Sequence, residues 1–539
     1  MSQRLLGGCL FETYDGNPEE LIGYKEITGY LIYTVKLSEN FRRKVRFVAD
    51  GHLVEMPPSI TYSTVVSRDS VRILLMIAAL NELDIQGCDV QNAFLSADNP
   101  EKHWIRAKPE FGPEQGKIFI VVRALYGLKS ASAAFRSFMA KKLDEIGFVS
   151  TQADPDVWLR PAVKPDGDKY YEYVLVYVDN MLVISLNATQ VLEDVKSKSI
   201  KFMNDKIAAP ENYLGAKLRL MSINQHDSWA ITSVDYINAA VQTIRDSIKE
   251  KKWKLPKRAK TPMLASYYPE LDTSPELDSS DVKLFQEIIR MLRWAVELGL
   301  VDIVVEVSLL SPYQAASREG HLEQTLQIVS YMESRPKLTL YMDPNYPPID
   351  YGSFKSTAGD FHKYYRGAKE ELPARMPRPR GSSVVTTAFV DASHASNKKT
   401  RRSHSGFILF VNRAPVKWFS KRQQTMETSA FSSEFIAMRH CIEEIEHLRF
   451  KLRMFGIPLD ESHPETPIFC DNKSLVRNTS DVKSTLNKKH SSIAYHFTRW
   501  KVAAGVIKIA WIPTGENLAD ATKRLPETTR HYLFGNWTY

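Results

Sequence analysis

Hydrophobic and polar positions change period along this chain, and the changes outline its elements. Toward the C-terminus, Val384 to Val390, Phe407 to Val411 and Val416 to Phe419 are short β-rich runs. The last two are separated by Asn412-Arg413-Ala414-Pro415, so three successive antiparallel strands are predicted. From Ser432 to Phe455 the spacing turns helical, with Met438, Cys441, Ile442, Ile445, Leu448 and Leu452 on one face and Gly456 and Pro458 as the stop. Strands over Pro467 to Cys470 and Ile507 to Ile512 enclose a helical Ile493 to Ala504, giving the order βββαβαβ and a short tail. Upstream, Leu284 to Val307 and Gly320 to Ser334 have helical periodicity and predict a mainly α region. Earlier still, Tyr173 to Ser185 is an apolar run, the polar pair Asp179-Asn180, and a second apolar run, which predicts a hairpin with the pair at its tip. Cys88 to Leu95 likewise places Asp89 at the end of a β-type run.

Two composition shifts divide the chain. Ile248 to Lys260 has seven Lys or Arg residues in thirteen positions around Trp253, and Leu372 to Ser383 has three prolines and three arginines and reads as a linker. At about 150 residues per domain, 539 residues suggest three or four domains. The most apolar long stretch, Ile288 to Leu310, is broken by Arg290, Arg293, Glu297, Asp302 and Glu306, so it predicts a buried amphipathic helix and no membrane span. Hydrophobic content of 43% and charged content of 25% exclude disordered, collagenous and coiled-coil classes. Lys+Arg exceed Asp+Glu by 71 − 63 = 8, a mild basic excess compatible with a polyanionic partner. Cys9, Cys88, Cys441 and Cys470 form neither a CxxC pair nor a zinc pattern. With no signal-like N-terminus, the expectation is an intracellular protein, cytoplasmic, in a virus-like particle or nuclear, and not secreted.

Four acids stand at informative places: Asp391 where the first C-terminal strand ends, Glu434 in the first helical turn, Asp471 after the fourth strand and Asp520 after the last. One acid at a strand end is ordinarily a solvated turn residue, so the set carries the argument. Two divalent ions about 4 Å apart need several carboxylates converging on one point. The strings FVDASHA, SSEFIAM, FCDNKS and NLADATK, with TRRSHSGFILFVNRAPVKWFSKRQ between the first two, resemble the RNase H domain of Ty1/copia-type retrotransposon polyproteins. The resemblance implies that Asp391, Glu434, Asp471 and Asp520 are metal ligands for cleaving the RNA strand of an RNA–DNA hybrid. His490 and His496 are expected to be structural or phosphate-facing.

Upstream, IQGCDVQNAFLSA, ALYGLKSASAAF, ADPDVWL, YVDN and NYLGA in order resemble the copia-type reverse transcriptase, and the two resemblances together cover roughly residues 41–523. They imply an α+β palm-type polymerase with fingers, palm and thumb, a connection region and a C-terminal α/β RNase H-like domain. The expected bounds are 1–270, 271–383 and 384–539. By the same resemblance Asp89 and Asp179, with the Val90 carbonyl, bind two Mg²⁺ ions, for which Mn²⁺ can substitute, and Asn180 is the third member of the catalytic set. Phe94 matches a steric gate that rejects the 2′-hydroxyl, while Lys44, Arg46 and Lys129 would meet the incoming dNTP. Lys251, Lys252 and Lys254 fall where a thumb would meet phosphates, although a solvated basic face is an equal reading; Trp253 either packs on sugar or anchors its helix.

The chain also departs from the family pattern. Asn180 stands where a second Asp is usual, Ser130-Ala131-Ser132 replaces Gln-Ala-Pro, and the segment before Lys44 is short. No protease motif, zinc knuckle or integrase zinc site is seen, so a piece of an element is expected. The expected partners are an RNA template, a DNA primer-template, an RNA–DNA hybrid and dNTPs, with no membrane and an oligomeric state left open. The leading reading is RNA- and DNA-templated DNA synthesis with RNase H activity. The alternative is a decayed or co-opted copy that binds nucleic acid and has RNase H activity alone or no catalysis.

Overall fold

A computed structural model of the chain describes residues 10–36, 42–52, 61, 63–223, 226–335, 339–355, 358–486 and 491–522. It divides into two compact units: residues 1–66, 84–162 and 172–209 form the first, and residues 67–83, 163–171 and 210–539 the second.

The first unit is built on a five-stranded sheet in the order Asp84–Asp89, Asn180–Ser185, Lys169–Tyr177, Val157–Val163, Val149–Ser150. The predicted hairpin is present, with Tyr177 opposite Asn180 and only Val178 and Asp179 in the turn. A two-residue turn that matches strand twist needs positive φ, and Val178 has φ 53°, a strained setting for a β-branched residue. Helices Ala131–Asp144 and Ala188–Ser197 contribute Phe135, Leu143, Val191 and Leu192 to the core shared with Val174 and Val183 of the sheet. A second hairpin, Gly29–Lys36 with Arg42–Ala49, is tied down where the Ala49 amide donates to the Tyr126 carbonyl at 2.7 Å. Gly51 and Gly127 permit that approach, because a Cβ on either would overlap the opposing backbone.

The second unit contains helices Val234–Ile248, Ser279–Glu297, Val304–Leu310 and Glu319–Ser334 around Phe285, Ile288, Leu292, Leu326 and Val329. The single helix expected over Ile288 to Leu310 is broken. It stops at Glu297, passes Gly299 at φ +118°, a conformation that a side chain would strain, and restarts at Val304. Trp253 lies beyond the end of helix Val234–Ile248 and packs into this core, its indole N–H donating to Asp281 Oδ2 at 2.7 Å. Of the two roles expected for Trp253, anchoring is the one observed, although no helix surrounds it.

The C-terminal sheet has the order Ala414–Arg422, His404–Val411, Thr386–Ser393, Thr466–Cys470, Ile507–Trp511, with the first three antiparallel and the last two added in parallel. The first strand extends through Ser393, so Asp391 lies inside it rather than past its end. One helix was not expected: Lys473–Ser480, capped by Asn472 Oδ1 accepting from the Leu475 amide at 3.0 Å, makes the order βββαβααβ. It has few apolar residues, and only Leu475, Thr479 and Ser480 are buried, so its periodicity was invisible. Leu372 to Ser383 is irregular, as a linker should be, yet it is strapped down: the Arg380 amide donates to the Gly456 carbonyl at 2.9 Å and Ser382 to Asn81 Oδ1 at 2.8 Å. Among the described residues no helix is long and apolar enough to cross a membrane.

Candidate active sites

Register builds the C-terminal site. Phe389 pairs with Phe469 across parallel strands, so Asp391 and Asp471, each two residues further on, emerge side by side at the same edge. Asp520 is brought to them by the buried Asn517, whose Nδ2 donates to the Val390 carbonyl at 3.1 Å and whose Oδ1 accepts from the Ala519 amide at 3.1 Å. Carboxylate oxygens of Asp391, Asp471 and Asp520 lie within 4.8 Å of one another. Glu434 enters from the second turn of helix Ala430–Met454, not the first as expected, because the helix already begins at Ala430 under the Ser429 cap, and it accepts a hydrogen bond from the Ala392 amide. Asn517 is a positioning residue that the sequence reading left unassigned, although it lies within the motif NLADATK.

Burial and mutual repulsion dominate the electrostatics of this acid set. Burial, then the Asp471 carboxylate, push Glu434 up to about 9. Burial and Asp471 also push Asp520 up to about 7. Glu434 Oε2 is buried with no hydrogen-bond partner among the described residues. Four hard oxygen donors crowded together in this way fit divalent cations. His496 takes no part, its Nδ1 being hydrogen-bonded to Tyr365 Oη at 2.8 Å; His490 lies outside the described residues. The exposed Trp511, unassigned from sequence, borders the site through its indole N–H, which donates to the Asp471 carbonyl at 3.0 Å.

The other acid site forms at the hairpin tip of the first unit. Asn180 is directly opposite Asp89, and the Val90 amide donates to the Asp179 carbonyl at 2.6 Å, which brings Asp89, Val90 and Asp179 together. Asp89 is exposed and Asp179 half-buried. Asn180 Nδ2 donates to Asp179 Oδ1 at 3.3 Å. Tyr126 connects this tip to the other expected residues: the Phe94 ring is 5.0 Å from it and the Arg46 guanidinium 5.5 Å from its centroid. Burial raises the Tyr126 phenol; Arg46 opposes that shift and Asp179 adds to it. Tyr126 therefore belongs beside Arg46, Phe94 and Asp179, a placement that its sequence neighbours alone did not disclose. Lys44 is two residues from Arg46 in the same strand, but its side chain lies outside the description; Lys129 is half-buried ahead of helix Ala131–Asp144.

Residues 17–251 match the family model described as reverse transcriptase (RNA-dependent DNA polymerase). The Pol polyprotein of transposon RE1 from Arabidopsis thaliana is 24% identical over 494 residues, 90% of this chain and 30% of that protein. Over most of its length the chain thus resembles part of a Ty1/copia-type retrotransposon Pol polyprotein. The Pol polyprotein of transposon TNT 1-94 from Nicotiana tabacum is also 24% identical, over 501 residues, 90% of this chain and 33% of that protein. The chain thus spans roughly a third of the curated relatives it matches, at 30% and 33% of their lengths. A foamy viral protease–reverse transcriptase solved in complex with double-stranded DNA is 12% identical with a TM-score of 0.47, covering 97% of this chain and 68% of that one.

The family match ends within the basic stretch. There Lys251 pairs with Asp281 at 2.6 Å and Lys252 pairs with Glu319, so two of the three lysines expected on nucleic acid are engaged with acids. Lys254 is exposed and lines an open groove of about 480 Å³ with Arg245, Lys249 and Lys257.

Proposed function

We propose that this chain synthesises DNA on RNA and DNA templates and hydrolyses the RNA of RNA–DNA hybrids, using one acid site for each reaction. The observation that supports this reading most strongly is the presence of both sites in one chain: Asp89 and Asp179 at a hairpin tip, and Asp391, Asp471 and Asp520 within 4.8 Å, with Glu434 beside them. We assign fingers, palm and thumb to residues 1–270, a connection to 271–383 and the RNase H-like domain to 384–539.

At the first site Asp89, Asp179 and the Val90 carbonyl would hold divalent ions, and at the second Asp391, Glu434, Asp471 and Asp520 would do so. Mg²⁺, or Mn²⁺ in its place, supplies positive charge at the reacting phosphate when bound. In polymerisation the primer 3′-hydroxyl loses its proton and attacks the α-phosphorus of a dNTP, forming the new phosphodiester as pyrophosphate departs. Arg46 offers charge-assisted hydrogen bonds to the triphosphate, with Lys44 and Lys129 as further cations. Phe94, fixed against Tyr126 and Phe135, presents a wall to the sugar 2′ position. In the nuclease, water attacks the scissile phosphorus and the 3′-oxygen leaves. Glu434 and Asp520, pushed up to about 9 and about 7, retain protons near neutrality until a cation replaces them.

Primer extension and hybrid cleavage, measured side by side on the purified chain, test the proposal. Asp471→Asn is expected to abolish cleavage while sparing extension, and Asp179→Asn the reverse. A wild-type chain that shows neither reaction with Mg²⁺ or Mn²⁺ overturns it.

A further inference from the structure

We propose that residues 257–260, Lys-Arg-Ala-Lys, are read as a peptide by an adaptor of nuclear import, a partner whose groove is lined by carboxylates and aromatic rings. This role is independent of both reactions proposed above. A short basic string of this kind is a nuclear-import signal when cations stand at its first, second and fourth positions, the third being open to any residue. Such strings are ordinarily solvated basic faces, so the surroundings decide. Here the neighbouring Lys251 and Lys252 are already engaged, with Asp281 and Glu319. Lys257, Arg258 and Lys260 are exposed, and none of the three has an ion pair or a hydrogen bond among the described residues. Ala259, at the open third position, is 4% exposed and packs into the helical core. The side turned inward is thus the side that a reader does not need.

The backbone is equally open. From the end of helix Val234–Ile248 to the short helix Pro269–Leu271 the chain is irregular. Helix Glu319–Ser334 holds the segment at both ends: Ser330 Oγ donates to the Pro256 carbonyl at 2.7 Å, and Gln327 Nε2 donates to the Thr261 carbonyl at 3.0 Å. Trp253 and Met263, both buried, fix the flanks in the same core. Between these anchors the N–H and C=O groups of residues 257–260 make no hydrogen bond among the described residues. When a protein reads a peptide laid along a groove, bonds to the main chain give affinity and pockets for the side chains give specificity. Carboxylates complement the three cations, and aromatic rings take both the charge and the aliphatic stems of Lys and Arg. Nucleic acid would meet this stretch mainly through charge, which Lys249 and Lys254 also offer in the groove that Lys257 borders. Its phosphate oxygens accept hydrogen bonds and donate none, so the free carbonyls favour a protein partner.

The test is a fluorescence-anisotropy titration of the labelled full chain with a purified nuclear-import adaptor freed of its autoinhibitory segment, alongside a titration with a DNA primer-template. Wild type is expected to bind the adaptor, and Arg258→Ala together with Lys260→Ala to weaken that binding by about tenfold, with Lys257→Ala weakening it at least as much. The same double variant is expected to keep its primer-template affinity within about twofold, which also shows that it is folded. Lys249→Ala together with Lys254→Ala, an equal loss of charge in the adjoining groove, is expected to bind the adaptor as wild type does. A synthetic peptide of residues 253–263 is expected to displace the wild-type chain from the adaptor, and the same peptide with alanine at positions 257, 258 and 260 to fail. A wild-type chain that does not bind the adaptor overturns the proposal. So does adaptor binding that the double variant leaves unchanged, or that the Lys249 and Lys254 pair weakens equally. Primer-template affinity that falls in the double variant, with no adaptor binding by wild type, assigns these cations to nucleic acid instead.

Discussion

Asn180 stands opposite Asp89 and donates its amide to Asp179 Oδ1 at 3.3 Å, so a neutral donor fills a place where another carboxylate would add charge. An amide oxygen can ligate a cation but offsets none of its charge. Primer extension by this chain should therefore be slow with Mg²⁺, and Asn180→Asp should raise it by about tenfold or more, equivalent to about 1.4 kcal/mol of transition-state stabilisation, read as single-turnover extension. Unchanged extension in a folded Asn180→Asp variant would place the limit elsewhere. The C-terminal acids make a separate prediction. Burial and Asp471 hold Glu434 at about 9 and Asp520 at about 7, above their ordinary 4.5 and 3.8. Between the ordinary and raised values the folded protein binds more protons than the unfolded chain, so stability falls as pH rises through that window. Thermal melts in EDTA should show a midpoint that declines from about pH 5 to about pH 8, with Mg²⁺ raising it most at the alkaline end and Glu434→Gln flattening the decline.

Among the elements, the irregular stretch ahead of the C-terminal sheet depends on one acid. Glu370 accepts from Arg449 Nε at 2.6 Å and from Arg453 Nη1 at 2.5 Å, and Arg449 is 2% exposed. Burial alone would raise the Glu370 carboxyl, but the two guanidinium groups hold it down at about 2. Glu370→Gln leaves two close cations without their acid and should cost about 3 kcal/mol at neutral pH. A depressed folded value means that the contribution is complete above the ordinary 4.5 and disappears as pH falls toward about 2. Denaturant melts of wild type and variant should therefore converge across that interval. Nothing near Glu370 in sequence announces this role, because its partners lie 79 and 83 residues away. Long apolar periods such as Ala430–Met454 were legible, whereas the short polar helix Lys473–Ser480 and the break at Gly299 were not. The former has little apolar signal, and the latter interrupts a pattern whose spacing survives the interruption.

At the scale of the molecule, helix Arg68–Leu80 belongs to the second unit although the chain on either side of it belongs to the first. Its buried Arg72 lies 4.0 Å from the Trp418 ring and donates to the Val416 carbonyl at 3.0 Å, and its Asp69 pairs with Lys451 at 2.8 Å. Strand Ala414–Arg422 and helix Ala430–Met454 are thus structural partners of a segment whose contacting residues lie 344 and 382 positions earlier. Ending the chain at about residue 383 removes them and leaves Arg72 and Asp69 without those partners, a cost of several kcal/mol. Limited proteolysis should then cut the truncated chain within residues 67–83, where the full chain is protected. Equal protection in both would show that the helix is held by other contacts.

Sequence by itself determined all but one helix of the C-terminal strand–helix order and the hairpin carrying Asp179, and it singled out the acids that the structure brings together, because periodicity and motif spacing are local properties of a chain. Tertiary structure decided what stands around those acids. Parallel register set Asp391 beside Asp471, Asn517 drew Asp520 to them, and Tyr126 came to lie among Arg46, Phe94 and Asp179. It also turned Lys251 and Lys252 toward Asp281 and Glu319, while Arg402, Lys421 and Arg422, no more conspicuous in sequence, came to line an open cleft. Whether a charge meets an acid, a cation or a substrate depends on residues distant in the chain, and folding alone brings them within the few ångströms over which such interactions act.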